Sequence, residues 1–208
     1  MKRDIPAPSL PGFEKIKRYW DKENNIVAAK ILPGEYYVTT ENEMVTTVLG
    51  SCIAACIRDS KLGIGGMNHF MLPETKVHQA KTEHVVGQAM RYGNYAMEHL
   101  INTILSHGGK RKNLEVKLFG GGKIIATLGN TGQKNIEFVL EYVDTEALNL
   151  VSQDLGDIYP RKVNYFPMTG RVRMKKIKDL HSDAIATQEK QYQSRLKEEP
   201  VESDIELF

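Results

Sequence analysis

The chain has 208 residues, of which 41% are hydrophobic and 26% charged, a composition typical of a soluble domain with a substantial core. Its 28 basic and 26 acidic residues give a net charge of +2, which argues against a nucleic-acid binder that relies on a dominant basic field. No apolar stretch is long enough to span a membrane, and Met1–Asp4 lacks the apolar core of a signal peptide, so we expect a cytoplasmic protein without membrane insertion.

Residues 1–33 are predicted to form an N-terminal extension that several prolines interrupt. A short helix is predicted at Glu14–Tyr19. Pro33-Gly34 marks a turn, and we place the main domain after it, at residues 34–177.

The main domain mixes strands and helices. Runs of β-branched and aromatic residues predict the strands, and apolar residues at three- and four-residue steps predict the helices. The predicted strands are Glu35–Thr40, Met44–Leu49, Cys52–Arg58, Ile64–Leu72, Leu114–Phe119, Asn149–Gln153, Arg161–Pro167 and Arg171–Lys176. The predicted helices are His84–Ser106 and a second one that Asn130 or Thr131 caps. Because the two types do not alternate strictly, the predicted fold is an α+β layered sandwich.

The C-terminal segment, residues 178–208, is hydrophilic. Its composition predicts a flexible tail or a loosely attached helix. The last residues, Asp204–Phe208, alternate between acidic and apolar side chains and are a candidate docking peptide, although disorder is the simpler interpretation.

A thiol and an imidazole on neighbouring predicted strands are the candidate reactive groups. Cys52 follows the predicted bend at Gly50-Ser51, where backbone N–H groups can point at an incoming carbonyl oxygen. His69 is the candidate base that would raise the thiolate fraction of Cys52, while Cys56 is assigned to the core. The alternative is that all three are buried structural residues, which is common for free cysteines.

A third group is expected to orient the imidazole. Thr46 and Thr47 are both near enough in sequence for an adjacent strand to place one of them beside His69. Asn68 would point to the opposite face of a regular strand.

The glycine run that follows a predicted strand lacks the remaining elements of a P-loop, so nucleotide binding is disfavoured. Close approach to a neighbouring strand or to a protein substrate explains it better, and we assign it to a substrate or partner surface. This surface comprises Phe119, Gly120, Gly121 and Gly122.

The sequence indicates no metal site. His69, His78 and His84 are loosely spaced, and with only two cysteines in the chain they do not form a zinc-ligand pattern. The basic strand Arg171–Lys176 is predicted to be a solvated face that can attract an acidic partner.

Several segments together resemble the CheD family, the chemoreceptor glutamine deamidases of bacterial chemotaxis. The resemblance covers roughly residues 34–177, and the order and spacing of its segments are more specific than any one motif. The matching segments are Thr46–Cys52, Gly63–Pro73, Arg91–Gly93, Lys117–Gly122, Gly132–Asn135, Asp154–Gly156 and Thr169–Val172. One departure is Asp157, which stands where a second glycine is expected.

This resemblance implies an enzyme that converts glutamine side chains of methyl-accepting chemotaxis receptors to glutamate without a cofactor. The nucleophile of the family falls on Cys52, its histidine on His69 and its threonine on Thr46. The implied fold is a layered α/β/β sandwich similar to the catalytic domain of cytotoxic necrotizing factor toxins. The implied partners are the receptors and a CheC-type phosphatase.

Two other functions are compatible with the sequence. A non-catalytic adaptor on the same scaffold would act on receptors or on the phosphatase by contact alone. A transglutaminase-like acyl transferase would share the thioester intermediate and differ only in the second nucleophile.

Overall fold

The computed structural model describes residues 8–73, 83–124, 130–178 and 182–198. Within these ranges the chain forms two five-stranded sheets and three α-helices. The strands are β1 (Lys17–Asp21), β2 (Ile26–Lys30), β3 (Tyr36–Thr39), β4 (Glu43–Leu49), β5 (Ile53–Asp59), β6 (Gly65–Asn68), β7 (Leu114–Gly120), β8 (Asn149–Leu155), β9 (Arg161–Phe166) and β10 (Arg171–Lys176). The helices are α1 (Glu83–Ser106), α2 (Thr131–Thr145) and α3 (Ser182–Glu198).

Both sheets are mixed, which confirms the predicted α+β class. The first sheet has the order β1-β2-β4-β9-β10, and the second has the order β3-β6-β5-β7-β8. The pairs β2–β4 and β7–β8 are parallel, whereas the other pairs are antiparallel.

The second sheet lies between the first sheet and the helices α1 and α2. Two neighbouring residues demonstrate this arrangement, because successive side chains point to opposite faces. Asn68 donates to the carbonyl of Ala96 on α1 at 3.0 Å, whereas the His69 ring contacts the hydroxyl of Thr47 on β4 at 2.8 Å. Apolar residues of both sheets, such as Val45 and Cys56, belong to one buried core.

The short helix predicted at Glu14–Tyr19 is wrong, because this segment leads into β1. β1 and β2 form a hairpin whose turn is closed by the Asp21 carboxylate, which accepts from the backbone N–H of Asn24 at 2.8 Å. β2 then pairs in parallel with β4. Residues 17–30 therefore form part of the first sheet and are not an extension outside the fold.

The prediction of a flexible tail is wrong for residues 182–198, which form α3, and the helical alternative is confirmed there. Asp204–Phe208 and His78 lie outside the described residues. Among the helices that the structure describes, none combines the length and the hydrophobicity that a bilayer span requires.

Candidate active site

The cysteine loop, Gly50–Cys52, connects β4 to β5 and is buried. Each of its three carbonyl groups is held by a donor. Gly122 N–H donates to the carbonyl of Gly50 at 2.7 Å, and Gly121 N–H donates to that of Cys52 at 2.8 Å. Asn135, fully buried on α2, donates its amide to the carbonyl of Ser51 at 2.8 Å. These bonds fix the peptide planes of the loop and leave its N–H groups free to converge on a ligand.

The glycine run supports this loop through close backbone approach, as one of the two sequence interpretations predicted. Gly120 has φ +117, and a Cβ atom there would lie 2.0 Å from the carbonyl oxygen of Cys52. Phe119 and Gly120, which were assigned to a substrate or partner surface, are instead buried behind the loop. Gly121 and Gly122 border a cleft beside Ser51.

This cleft has a volume of about 200 Å³ and also contacts Gly156 and Asp157. Asp157 adopts φ 70, a left-handed conformation that glycine usually supplies. Its carbonyl accepts from the N–H of Lys123 at 2.7 Å. The aspartate that stands in place of the expected glycine therefore occupies a glycine-like backbone conformation.

His69 follows β6 directly, and its backbone is bonded on both sides. Its N–H donates to Glu35 at 2.9 Å, and its carbonyl accepts from Gly34 N–H at 2.7 Å. The ring is buried, and Nδ1 lies 2.8 Å from the hydroxyl of Thr47. Because that hydroxyl donates its single hydrogen to the carbonyl of Ile31 at 2.9 Å, it must accept from Nδ1–H. Nε2 therefore carries the lone pair, and it has no hydrogen-bond partner among the described residues.

Thr46, the threonine that the family resemblance indicated, does not contact His69. Its hydroxyl donates to the side chain of Asn164 on β9 at 2.6 Å. Thr46 and Thr47 are adjacent on β4, so their side chains point to opposite faces, and only Thr47 faces the second sheet. The residue that contacts the imidazole is therefore Thr47, and the assignment to Thr46 is corrected.

Glu189 of α3 is the residue that sequence reasoning missed. It is 2% exposed, and its carboxylate lies on the N–H groups of the cysteine loop. Oε1 accepts from Gly50 N–H at 2.9 Å and from Cys52 N–H at 3.2 Å. Oε2 accepts from the N–H and the hydroxyl of Ser51 at 2.9 and 2.7 Å. The signal for it in the sequence is its spacing: Glu189 follows Ile185 by four residues and therefore shares a helix face with that apolar side chain.

Cys52 Sγ, an imidazole nitrogen of His69 and a carboxylate oxygen of Glu189 all lie within 4.8 Å of one another. A thiolate, an imidazole and a carboxylate can together bind zinc. However, four hydrogen bonds already account for both oxygens of the carboxylate, so we interpret it as a ligand of the cysteine loop.

Burial determines the protonation of the reactive pair in this arrangement. Burial, followed by the charge and hydrogen bonding of Glu189, raises the pKa of the Cys52 thiol well above its usual value. Burial alone lowers the pKa of His69 to about 3. At neutral pH the pair is therefore a neutral thiol beside a neutral imidazole that can accept its proton.

The fold and the site together define a two-sheet α+β protein with a thiol–imidazole pair beside converging backbone N–H donors, an arrangement suited to nucleophilic acyl chemistry. The family model described as "CheD chemotactic sensory transduction" matches residues 71–176. The chain belongs to the CheD family.

Relatives of nearly equal length match most or all of the chain. A protein from Halorhodospira halophila is 52% identical over 99% of this chain and 96% of its own length. One from Hahella chejuensis is 47% identical over 100% of this chain and 98% of its own length. A third, from Methylobacillus flagellatus, is 52% identical over 91% of this chain and 94% of its own length. All three are named "Probable chemoreceptor glutamine deamidase CheD".

Proposed function

We propose that the protein is a chemoreceptor glutamine deamidase, a protein-glutamine glutaminase that hydrolyses glutamine side chains of methyl-accepting chemotaxis receptors to glutamate. The observation that carries the chemistry is the tautomer of His69, which leaves Nε2 unprotonated in a ring that has one nitrogen within 4.8 Å of Cys52 Sγ. The names of the relatives supply the substrate class.

In the proposed first step, Nε2 of His69 takes the proton of Cys52, and Sγ attacks the carboxamide carbon of the substrate. The developing oxyanion accepts from the N–H groups of Gly50 and Cys52, the two donors that now bind Oε1 of Glu189. The protonated His69 then gives its proton to the departing nitrogen, which leaves as ammonia when the C–N bond breaks.

In the second step, His69 removes a proton from water, which attacks the thioester carbon. The S–C bond breaks, glutamate forms and the thiol is restored, so that one glutamine and one water yield one glutamate and one ammonia. Thr47 keeps Nδ1 protonated and the ring oriented throughout both steps, which makes it a positioning residue. Ser51, whose hydroxyl and N–H now bind Oε2 of Glu189, supplies two donors for the second oxygen of the product carboxylate.

Three finer assignments extend this proposal. The substrate glutamines lie on the helical cytoplasmic region of the receptors, which places the protein in the cytoplasm. A CheC-type phosphatase is a second partner. The fold is similar to the catalytic domain of cytotoxic necrotizing factor toxins, and the position of the second sheet between the first sheet and the helices supports this likeness.

The test is peptide mass spectrometry of a receptor cytoplasmic fragment incubated with the wild-type protein or with Cys52→Ala. We expect glutamine-to-glutamate conversion at discrete sites with the wild type and none with a folded Cys52→Ala variant. Conversion by Cys52→Ala would overturn the mechanism. No conversion by the wild type or by Glu189→Ala, in which the loop N–H groups are free, would instead favour a non-catalytic adaptor. Incorporation of an added primary amine would indicate an acyl transferase.

A further inference from the structure

We propose that α3 occupies the substrate-binding groove of its own active site and holds it closed, with Glu189 in the position of the reaction product. The groove then fits a helix that presents a glutamine, and α3 is an intramolecular competitor of that helix. This inference rests on the proposed function and adds a mode of substrate binding and of regulation to it.

The chemistry of Glu189 is the first argument. A glutamate side chain is what the proposed reaction leaves in the site, and this one lies among Cys52, His69 and the converging N–H groups. Its Oε1 takes both donors that the oxyanion requires. No substrate amide can bind these donors while the carboxylate is present, and its negative charge beside Sγ disfavours formation of the thiolate.

The face that α3 turns toward the protein is the second argument. Ile185, Glu189, Tyr192 and Leu196 lie on one face of the helix at steps of three and four residues. Tyr192 and Leu196 pack against the main core, and the hydroxyl of Tyr192 bonds to that of Tyr92 on α1.

Tyr192 also lies close to the turn that precedes β3, since a Cβ atom at Gly34 would be 2.8 Å from its hydroxyl. By contrast, Lys190, Gln191 and Ser194 are exposed on the outer face. The groove therefore contacts a helix at the reactive position and at the positions four before, three after and seven after it. A substrate helix is expected to carry apolar or aromatic side chains at those three positions.

The space beside α3 is the third argument. One cleft borders Ser51, whose hydroxyl donates to Glu189, and a second cleft of about 280 Å³ is bordered by Ile185 of α3. The second cleft is also bordered by Thr47 and His69, whose side chains contact each other. The helix thus covers the site without filling it.

Gln193, one turn after Glu189, is 5% exposed, and its side-chain N–H group has no partner within the described residues. An unpaired buried amide lowers the stability of the docked helix and favours its displacement.

Replacing Glu189 by glutamine in the full-length protein tests the inference directly, because the helix would then carry a substrate side chain. Sγ of Cys52 would form a bond to the introduced amide carbon, ammonia would leave, and water would cleave the thioester to regenerate glutamate. We expect peptide mass spectrometry of purified Glu189→Gln to show glutamate at position 189, with the mass gain that corresponds to replacement of NH₂ by OH.

The same peptide contains its own controls. Gln188, Gln191 and Gln193 are expected to remain glutamine, and the double variant Cys52→Ala, Glu189→Gln is expected to keep its amide. Retention of the amide in Glu189→Gln by a preparation that deamidates a receptor fragment would overturn the inference and leave the proposed function intact. Conversion at the neighbouring glutamines would also overturn it, since the placement of α3 would then not select the residue.

A rate measurement on a receptor fragment completes the test. Glu189→Ala is expected to deamidate the fragment about tenfold faster than the wild type, the equivalent of about 1.4 kcal/mol, because at least one charge-assisted hydrogen bond no longer holds α3 in place. Lys190→Ala, on the exposed face of the same helix, is the matched control and is expected to keep the wild-type rate. Equal rates for Glu189→Ala and the wild type would refute closure by α3, whereas absence of all deamidation, including that of Glu189→Gln, would refute the proposed function itself.

Discussion

Replacing Thr47 by valine perturbs the orientation and tautomer of the His69 imidazole while conserving the β-branched shape of the side chain. The change removes the hydroxyl that accepts from His69 Nδ1–H and donates to the carbonyl of Ile31. Both partners are buried, and a buried polar group left unpaired costs about 1–3 kcal/mol. The free energy of unfolding is expected to fall by about that amount.

The effect on activity follows from the tautomer. Without the hydroxyl, a proton on Nε2 is no longer disfavoured relative to one on Nδ1, and a protonated Nε2 cannot accept from Cys52. We expect kcat/KM for a receptor fragment to fall about 10- to 100-fold, which corresponds to about 1.4–3 kcal/mol of lost transition-state stabilisation. Thr47→Ser, which keeps the hydroxyl, is expected to restore most of the activity.

Thr46→Val is the matched control, because it removes an equivalent hydroxyl one residue earlier on the same strand. That hydroxyl bonds to Asn164, so its loss is expected to lower the stability to urea without lowering kcat/KM of the folded fraction. Loss of activity in Thr46→Val together with normal activity in Thr47→Val would refute the reasoning and reinstate the assignment from the family resemblance.

Two further changes test the support of the loop and the burial of the base. Gly120→Ala is expected to lower the free energy of unfolding by about 2 kcal/mol or more and to reduce activity, because its Cβ would meet the Cys52 carbonyl. Gly12→Ala, at φ +91 in open space, is the control and is expected to cost about 1 kcal/mol in urea unfolding. The folded-state pKa of His69, about 3, lies below the ordinary 6.5, so between these pH values the unfolded chain binds a proton that the folded protein does not bind. The contribution of the neutral imidazole to stability is therefore fully present above pH 6.5. Below that pH the free energy of unfolding is expected to fall by about 1 kcal/mol per pH unit as the pH drops toward 3. His69→Asn is expected to remove this slope and exposed His107→Asn to retain it; equal slopes in all three proteins would contradict the burial of a neutral imidazole.

The strands that were predicted correctly are those in which the local residue pattern alone indicates a strand. β4 and β10 carry runs of β-branched or alternating residues, and these patterns depend on which side chains can lie in a half-buried sheet. The N-terminal hairpin was missed because its pairing with β4 joins segments distant in sequence, and because the polar side chains of β1 resemble those of an exposed helix. Aromatic residues Tyr19 and Trp20 before the Asp21 turn were the available signal.

The thiol and the imidazole could be predicted because their residue types and spacing already define a chemistry. The choice between Thr46 and Thr47 could not be made from alternation, because both faces of β4 are buried and no polar face marks the outside. Glu189 was beyond local reasoning for a different reason: its role depends on where α3 packs, and a hydrophilic helix sequence does not specify that.

The carbonyl of Ile31, which fixes the Thr47 hydroxyl, belongs to the segment that leaves β2. The proton position on His69 therefore depends on a part of the chain that contributes no reactive group. A protein shortened to begin at residue 34 would still contain the thiol, the imidazole and every N–H group of the cysteine loop, yet the Thr47 hydroxyl could turn its hydrogen toward Nδ1. During synthesis the N-terminal hairpin leaves the ribosome before β4, but the acceptor at Ile31 acquires its role only when β4 pairs beside β2. The segment that the proposed chemistry requires is thus longer than the one that carries its reactive groups.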